Sequence, residues 1–101
     1  MRQIPPLSET QLQDLLTQLP AWRVENGHLA VDYTFTDFKT AFAFLTQVAL
    51  AAEQMDHHPD WSNSYNRVNI CLFTHDQQSL TELDARLAKQ IAQFAALYPS
   101  K

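Results

Sequence analysis

The chain is poor in glycine, cysteine and basic residues. Its 101 residues include one glycine, one cysteine and only 7 lysines and arginines. A lone cysteine cannot form an internal disulfide, and a formal charge of −4 without a basic run lacks the footprint of a nucleic-acid-binding surface. No apolar stretch approaches the roughly 18 residues of a membrane span, and residues Met1 to Pro6 lack the apolar segment of a secretory signal. We therefore expect a soluble, cytoplasmic protein with no direct nucleic-acid or membrane partner.

The hydrophobic content is 46%, which is enough for one core in a chain of this length. No linker, repeat or low-complexity segment divides the sequence, so residues 1–101 are expected to form a single domain. A body this small leaves little room for a deep pocket. A functional site is therefore expected in a surface cleft or at a subunit interface.

Two helices are predicted in the first half of the chain. Ser8 and Gln11 have the spacing of a capping box, and Pro20 ends the apolar pattern that follows. Apolar residues recur at helical spacing from Phe38 to Ala52. This second helix must end before Pro59, because proline disfavours helical geometry at the preceding residue.

The only glycine marks a β-hairpin. Asn26-Gly27 favours a type I′ turn, which needs positive φ at both central residues. A two-residue turn here places Val24 opposite Leu29 and Trp22 opposite Val31. All four apolar side chains then share one face of the hairpin, as a half-buried sheet requires.

The second half of the chain repeats the strand-strand-helix order. Residues Trp61 to Tyr65 and Arg67 to Thr74 are predicted strands. Ser79 with Glu82, and Thr81 with Asp84, form overlapping capping boxes for a last helix. The predicted fold class is α+β. It has a four-stranded antiparallel sheet with three helices packed on one face, in the order α-β-β-α-β-β-α.

Three of the four histidines lie close together in the sequence, at His57, His58 and His75. Imidazole is the side chain best suited to proton transfer near neutral pH. The simpler interpretation is that one histidine of the adjacent pair caps the helix and the other is an exposed residue without a specific role, since residues after a helix are mostly in exposed loops. His28, beside the hairpin turn, is expected to be exposed turn surface.

Other chemistries have less support in the sequence. Adjacent residues such as His57 and His58 point to opposite sides in an extended segment, so they do not naturally chelate one metal ion. Cys71 lies within a predicted strand, with no feature that would make it a reactive nucleophile. No metal site is expected.

The spacing of these histidines with nearby acidic residues resembles a known signature. The run from Glu53 through His57-His58-Pro59 to Tyr65, His75 and Asp84 is similar to the pterin-4a-carbinolamine dehydratase family. That family is also known as the dimerisation cofactor of a homeodomain transcription factor. The resemblance spans most of the chain, and the family's fold agrees with the order predicted above.

The resemblance implies a hydro-lyase that dehydrates 4a-hydroxytetrahydrobiopterin to quinonoid dihydropterin and water, without a cofactor. This reaction recycles tetrahydropterin for aromatic amino-acid hydroxylases, so such a hydroxylase is an implied pathway partner. A homodimer or homotetramer is also implied. The alternatives are a non-catalytic dimerisation or regulatory protein of the same fold, or a dehydratase acting on another pterin, such as a molybdopterin-related compound.

The resemblance also implies roles for individual residues. His57 and His75 would be the acid and base, and His58 would hold and polarise the substrate. Glu53 and Asp84 would orient histidines or cap a helix. Four residues would line the pterin site: Asp56, Phe73, Thr74 and Asp76.

Two residues depart from the family's pattern. Asn69 stands where relatives often carry histidine, and Phe73 stands where they often carry a small hydroxyl residue. Phe73 flanks the expected pocket and could alter the preference for a pterin side chain.

Overall fold

A computed structural model describes residues 4–101 of the chain. Residues 1–3, part of the stretch in which no secretory signal is expected, lie outside the described residues. No helix within residues 4–101 combines the length and apolar content needed to cross a bilayer. The elements in chain order are α1 (Glu9–Gln18), β1 (Arg23–Glu25), β2 (His28–Thr34), α2 (Phe38–Met55), β3 (Asp60–Ser64), β4 (Arg67–Leu72), a 3₁₀ turn (His75–Gln77) and α3 (Glu82–Ala96). The predicted α-β-β-α-β-β-α order is confirmed.

The four strands form one antiparallel sheet in the spatial order β1-β2-β4-β3. Alternate residues of the two central strands are buried in the core that the helices cover, because side chains alternate between the faces of a strand. These inward residues are Leu29, Val31, Val68, Ile70 and Leu72. The opposite face is open, and there Asp32 accepts hydrogen bonds from Arg23 and from Asn69.

The hairpin has the predicted register. Val24 pairs with Leu29 across a turn in which Asn26 has φ 53° and Gly27 has φ 78°. The ladder ends at Arg23, so Trp22 precedes the paired residues, although it is buried. Val24 stays 42% exposed, since β1 is a three-residue edge strand with little cover on its outer side.

Capping residues set the starts of the helices. The Ser8 capping box is present, and Asp37 accepts a hydrogen bond from the Thr40 N–H at the start of α2. At the other end of α2, Asp56 adopts the left-handed conformation with φ 52°. This reversal ends the helix three residues before Pro59 and sets the direction in which the adjacent histidines leave it.

The last strand is shorter than the sequence suggested. β4 ends at Leu72, and Thr74 pairs with Ser79 across a tight loop instead of extending the ladder. His75 therefore begins the 3₁₀ turn and does not end a strand. The Thr74 hydroxyl donates to a buried carboxylate, which favours the departure of the chain from the sheet at this point.

The outward face of α2 carries large apolar side chains. Phe38, Phe42 and Leu50 are exposed, whereas Phe44, Leu45 and Val48 are in the core. The rings of Phe38 and Phe42 lie 5.9 Å apart, one helical turn from each other. The helical spacing alone did not separate these two faces, because α2 is apolar on most sides.

We expect Gly27→Ala to lower the free energy of unfolding by about 1–2 kcal/mol, the usual cost of a left-handed conformation for a residue with a Cβ atom. The cost should come from the backbone alone, because a Cβ atom at this position would meet no atom within 4 Å. Gly27→Asn is the matched variant and should lose less, since asparagine tolerates this conformation. Urea unfolding measures both, and equal losses in the two variants would contradict this explanation.

Candidate active site

The two adjacent histidines follow the end of α2, and their side chains have different surroundings. The His57 N–H donates to the Ala52 carbonyl at 3.0 Å, which holds this residue against the last turn of the helix. His57 is buried, with 6% of its surface exposed, whereas 58% of the His58 side chain is exposed. The two imidazoles therefore lie in different environments, as expected for neighbours in an extended segment.

His57 makes a buried contact with the first turn of α3. Its Nε2 atom lies 2.6 Å from Oδ1 of Asp84, and Asp84 has no exposed surface. The other carboxylate oxygen, Oδ2, accepts from the Thr74 hydroxyl at 2.8 Å and from the Thr81 N–H at 2.9 Å. A buried carboxylate is tolerated when hydrogen bonds replace its lost hydration, and these three contacts do so.

The direction of each hydrogen bond in this network follows from its donors. Thr74 gives its proton to Asp84, so Thr81 must donate its own hydroxyl proton to the Thr74 oxygen, 2.8 Å away. The Thr81 oxygen in turn accepts from the Leu83 N–H. An ionised Asp84 can only accept, so the proton of His57 is on Nε2. In neutral His57 this leaves Nδ1 with a free electron pair, as a proton acceptor requires.

Asp84 makes contacts of both the kinds that the sequence left open. Its side chain closes the capping box of α3 with Thr81, and the same carboxylate orients His57. Thr74, expected only to line the pterin site, is a partner of that carboxylate. The sequence indicated Thr81 only as a helix cap, because its contact with Thr74 depends on how the loop folds.

Glu53 and His58 form a second, exposed pair. Oε1 of Glu53, in the last turn of α2, lies 2.8 Å from Nε2 of His58. The two side chains are 80% and 58% exposed, so solvent screens this contact and its contribution to stability is small. It does fix one direction for a histidine that otherwise projects into solvent. The orienting role implied for Glu53 stays a prediction.

His75 lies among aromatic and acidic side chains. Its ring centroid is 5.2 Å from that of Phe73, in an edge-to-face arrangement. Its Nε2 atom is 3.7 Å from Oδ2 of Asp60, which is beyond hydrogen-bond distance but within ion-pair range. Within residues 4–101, His75 and His57 are connected through the backbone of Thr74 and its bond to Asp84, not through a direct contact.

The expectation that His28 is exposed turn surface is wrong. Its ring is half-buried and lies 4.4 Å from the Phe73 ring, at an interplanar angle of 31°. It also lies 6.2 Å from the His75 ring. The sequence contained no local signal for these contacts, because they depend on the pairing of β2 with the distant strand β4.

The two aspartates expected to line the pterin site are both exposed. Asp56 is the exposed C-cap residue of α2, and Asp76 is exposed within the 3₁₀ turn. Asn69 donates to Asp32 on the open face of the sheet, apart from the Asp84 network. The role of these aspartates in lining a pterin site stays a prediction.

The structure does not favour nucleophilic catalysis by a cysteine or a metal site among the described residues. Burial, with the negative charges of Glu25 and Asp60, raises the pKa of the Cys71 thiol, which lowers its thiolate fraction at neutral pH. No three side chains of His, Cys, Asp or Glu in the described part of the chain lie close enough together to hold a metal ion. Proton transfer is the chemistry that this arrangement of histidines and carboxylates supports best.

A groove on the described part of the molecule lies away from the histidines. It encloses about 580 Å³ between the end of α1, the end of β2 and the C-terminal residues, and none of the four histidines lines it. A hollow of about 480 Å³ beside Phe73 is nearer to the histidines. Because imidazole is the side chain best suited to proton transfer near neutral pH, we place the candidate site at the histidines and not in the larger groove.

Fold and site together define a small α+β protein with an oriented histidine at the junction of two helices and a sheet. The model of the family described as pterin 4 alpha carbinolamine dehydratase matches residues 5–94. The chain belongs to this family.

Relatives from bacteria match over most of their length. A protein of Synechococcus sp. (strain WH7803) is 52% identical over 85 residues, which cover 84% of this chain and 91% of the relative. One of Rhizorhabdus wittichii is 47% identical over 94 residues, which cover 91% and 97%. The provisional name of both is pterin-4-alpha-carbinolamine dehydratase.

Solved structures are similar as well. The crystal structure of a transcriptional coactivator/pterin dehydratase from Brucella melitensis superposes with a TM-score of 0.84 at 39% identity, covering 89% of this chain and 98% of that one. A pterin dehydratase-like protein identified as a RuBisCO assembly factor in the alpha-carboxysome superposes with a TM-score of 0.65. At 23% identity, with coverage of 74% of this chain and 89% of that one, it shows a shared fold alone.

We expect Asp84→Ala to destabilise the protein by about 3–5 kcal/mol, because removing one partner of a buried pair leaves the other without compensation. Thr74→Val removes one donor to the same carboxylate and should cost about 1–3 kcal/mol. Thr74→Ser keeps the hydroxyl and serves as the control. Chemical unfolding measures all three. Equal losses for Thr74→Val and Thr74→Ser would mean that the methyl group, and not the hydrogen bond, matters at this position.

Proposed function

We propose that this chain catalyses the dehydration of 4a-hydroxytetrahydropterins, such as 4a-hydroxytetrahydrobiopterin, to quinonoid dihydropterin and water. The observation that carries this proposal is the buried Asp84–His57 contact, which leaves a proton acceptor on Nδ1 of an oriented imidazole. Membership of the family supports the substrate class. The reaction needs a proton donor and a proton acceptor, and His75 is the second imidazole available.

The chemistry divides into two proton transfers. The hydroxyl oxygen on C4a takes a proton, the C4a–O bond breaks, and water leaves. The lone pair of the neighbouring ring nitrogen forms the new double bond, and that nitrogen loses its own proton. One proton is gained and one is lost, so the net change is the loss of water.

The geometry favours His57 as the base. When Nδ1 takes the ring-nitrogen proton, the positive charge that forms on the imidazole lies against the Asp84 carboxylate. His75, the more exposed imidazole, then serves as the acid for the departing hydroxyl. His58, held by Glu53, is placed to bind the substrate and not to react with it.

The pterin released by this reaction is an oxidised form that reduction returns to tetrahydropterin. We propose that the chain serves an aromatic amino-acid hydroxylase in this way, in the cytoplasm. The unpaired thiol of Cys71 agrees with a reducing compartment. A different pterin side chain is the alternative within the same chemistry, since the histidines act on the ring and not on its substituent.

We expect His57→Ala and His75→Ala each to lower the rate of dehydration by about 10²–10⁴-fold, the usual contribution of a general acid or base. Asp84→Asn is the sharper variant. Its amide nitrogen would donate to Nε2 of His57, so the ring proton would move to Nδ1 and remove the acceptor. The fold should survive because the side-chain volume is unchanged. The rate of loss of 4a-hydroxytetrahydrobiopterin by purified protein measures these effects.

Gln47→Ala, on the exposed side of α2, is the control for this assay and should keep full activity. Full activity in both the His57 and His75 variants would exclude them as acid and base. No acceleration by the wild-type protein would favour the non-catalytic binding function instead.

We also propose that the chain forms a homodimer or homotetramer through α2. Phe42 is 58% exposed, and with Phe38 and Leu50 it gives the helix an apolar outer face that a second copy could cover. The same surface would serve a non-catalytic binding protein of this fold. Oligomerisation and catalysis do not exclude each other.

We expect the wild-type protein to sediment as a dimer or tetramer at micromolar concentration, and Phe42→Glu to shift it towards the monomer. Gln93→Glu adds the same charge to the exposed side of α3 and should leave the oligomer intact. A strictly monomeric wild-type protein, or equal effects of the two variants, would argue against this interface.

A further inference from the structure

Three aromatic rings meet on the open face of the sheet, next to the candidate site. The ring of His28 packs against that of Phe73 at an interplanar angle of 31°, with centroids 4.4 Å apart. Phe73 meets His75 at 5.2 Å and an angle of 73°, and His28 meets His75 at 6.2 Å and 82°. Each ring therefore contacts the other two at distances typical of aromatic pairs.

The strand register places these rings together. Leu29 pairs with Leu72 and both side chains enter the core, so the next residues, His28 and Phe73, lie side by side on the opposite face. On its other side His28 pairs with Glu25 in the first hairpin. His28 thus lies between Glu25 of β1 and the loop that carries His75.

Ring packing is the principal interaction of the His28 side chain. Neither of its ring nitrogens makes a hydrogen bond or an ion pair within residues 4–101, yet the side chain is half-buried. Phe73 is likewise half-buried, covered on one face by His28. An imidazole with these contacts provides a packing surface for the neighbouring rings and does not act as an acid or a base.

The orientation of the His75 imidazole depends more on ring packing than that of His57 does. His57 is fixed by a buried carboxylate, whereas 63% of the His75 side chain is exposed. The carboxylate of Asp60 is 3.7 Å from its Nε2 atom, and the Asp60 side chain is itself 78% exposed. A general acid must hold its geometry relative to the reacting atoms, and a loosely held side chain loses much of this advantage.

We propose that His28 is a positioning residue, which holds Phe73 against His75 and thereby fixes the orientation of the His75 imidazole. This inference rests on the proposed dehydratase function for its consequence in catalysis, but the packing itself can be tested without substrate. His28 touches neither reacting atom in this proposal, and it acts through the two rings beside it.

The first test is the NMR spectrum of His75 in the protein without substrate, at a pH where the histidines are neutral. We expect His28→Ala to shift the carbon-bound ring protons of His75, because the Phe73 ring that shields them is no longer held. His28→Phe keeps a flat ring and should restore the wild-type positions. Glu25→Ala, at the paired position in the hairpin, is the control and should leave them unchanged.

The second test is kinetic. Aromatic pairs contribute about 0.5–1.5 kcal/mol, so we expect His28→Ala to lower kcat for 4a-hydroxytetrahydrobiopterin about two- to tenfold. His28→Phe should recover the rate, which an acid or base at this position would not allow. Thermal unfolding of each variant identifies any loss that comes from global destabilisation.

Unchanged His75 resonances in folded His28→Ala would overturn the inference. So would shifted resonances with an unchanged kcat, or a failure of His28→Phe to recover either signal. If the wild-type protein shows no dehydratase activity, the proposed function fails. The His75 resonances then decide the packing inference alone.

Discussion

The structure depends most on one buried carboxylate. Asp84 has no exposed surface and joins α2, α3 and the loop after β4 through His57, Thr81 and Thr74. An ionised group in this position is stable only while each of its contacts is present, because the interior offers no water to replace them. The geometry of the candidate site and the packing of these three segments are therefore coupled. A change that loosens the loop also changes the orientation of the histidine.

The two catalytic candidates are held by different means. His57 is fixed by hydrogen bonds in the interior, and His75 is fixed by ring contacts near the surface. The difference suits the proposed chemistry, since the base must keep one tautomer while the acid must exchange its proton with solvent between turnovers. The site thus has a buried part around His57 and a more accessible part around His75. The ring of His28 packs against the accessible part.

Local chemistry predicted most of the fold. The Asn26-Gly27 turn specified the hairpin register, and the capping residues located the helix starts, because both signals act over two or three residues. The end of β4 and the contacts of His28 could not be predicted in this way. They depend on the pairing of β2 with β4, which lie about 40 residues apart in the chain, and no local pattern encodes that register. Within the site, the sequence indicated the histidines, but not that Asp84 and Thr74 belong to one network.

The most direct test is the tautomer of His57, measured from the ¹⁵N chemical shifts of its ring nitrogens in the protein at a pH where the imidazole is neutral. The network around Asp84 requires the proton on Nε2 and leaves Nδ1 as an acceptor. We expect a protonated Nε2 and an unprotonated Nδ1. A proton on Nδ1 with a bare Nε2 would contradict the account, because the Asp84 carboxylate would then face a second acceptor and His57 would have no free electron pair to receive a proton from the substrate.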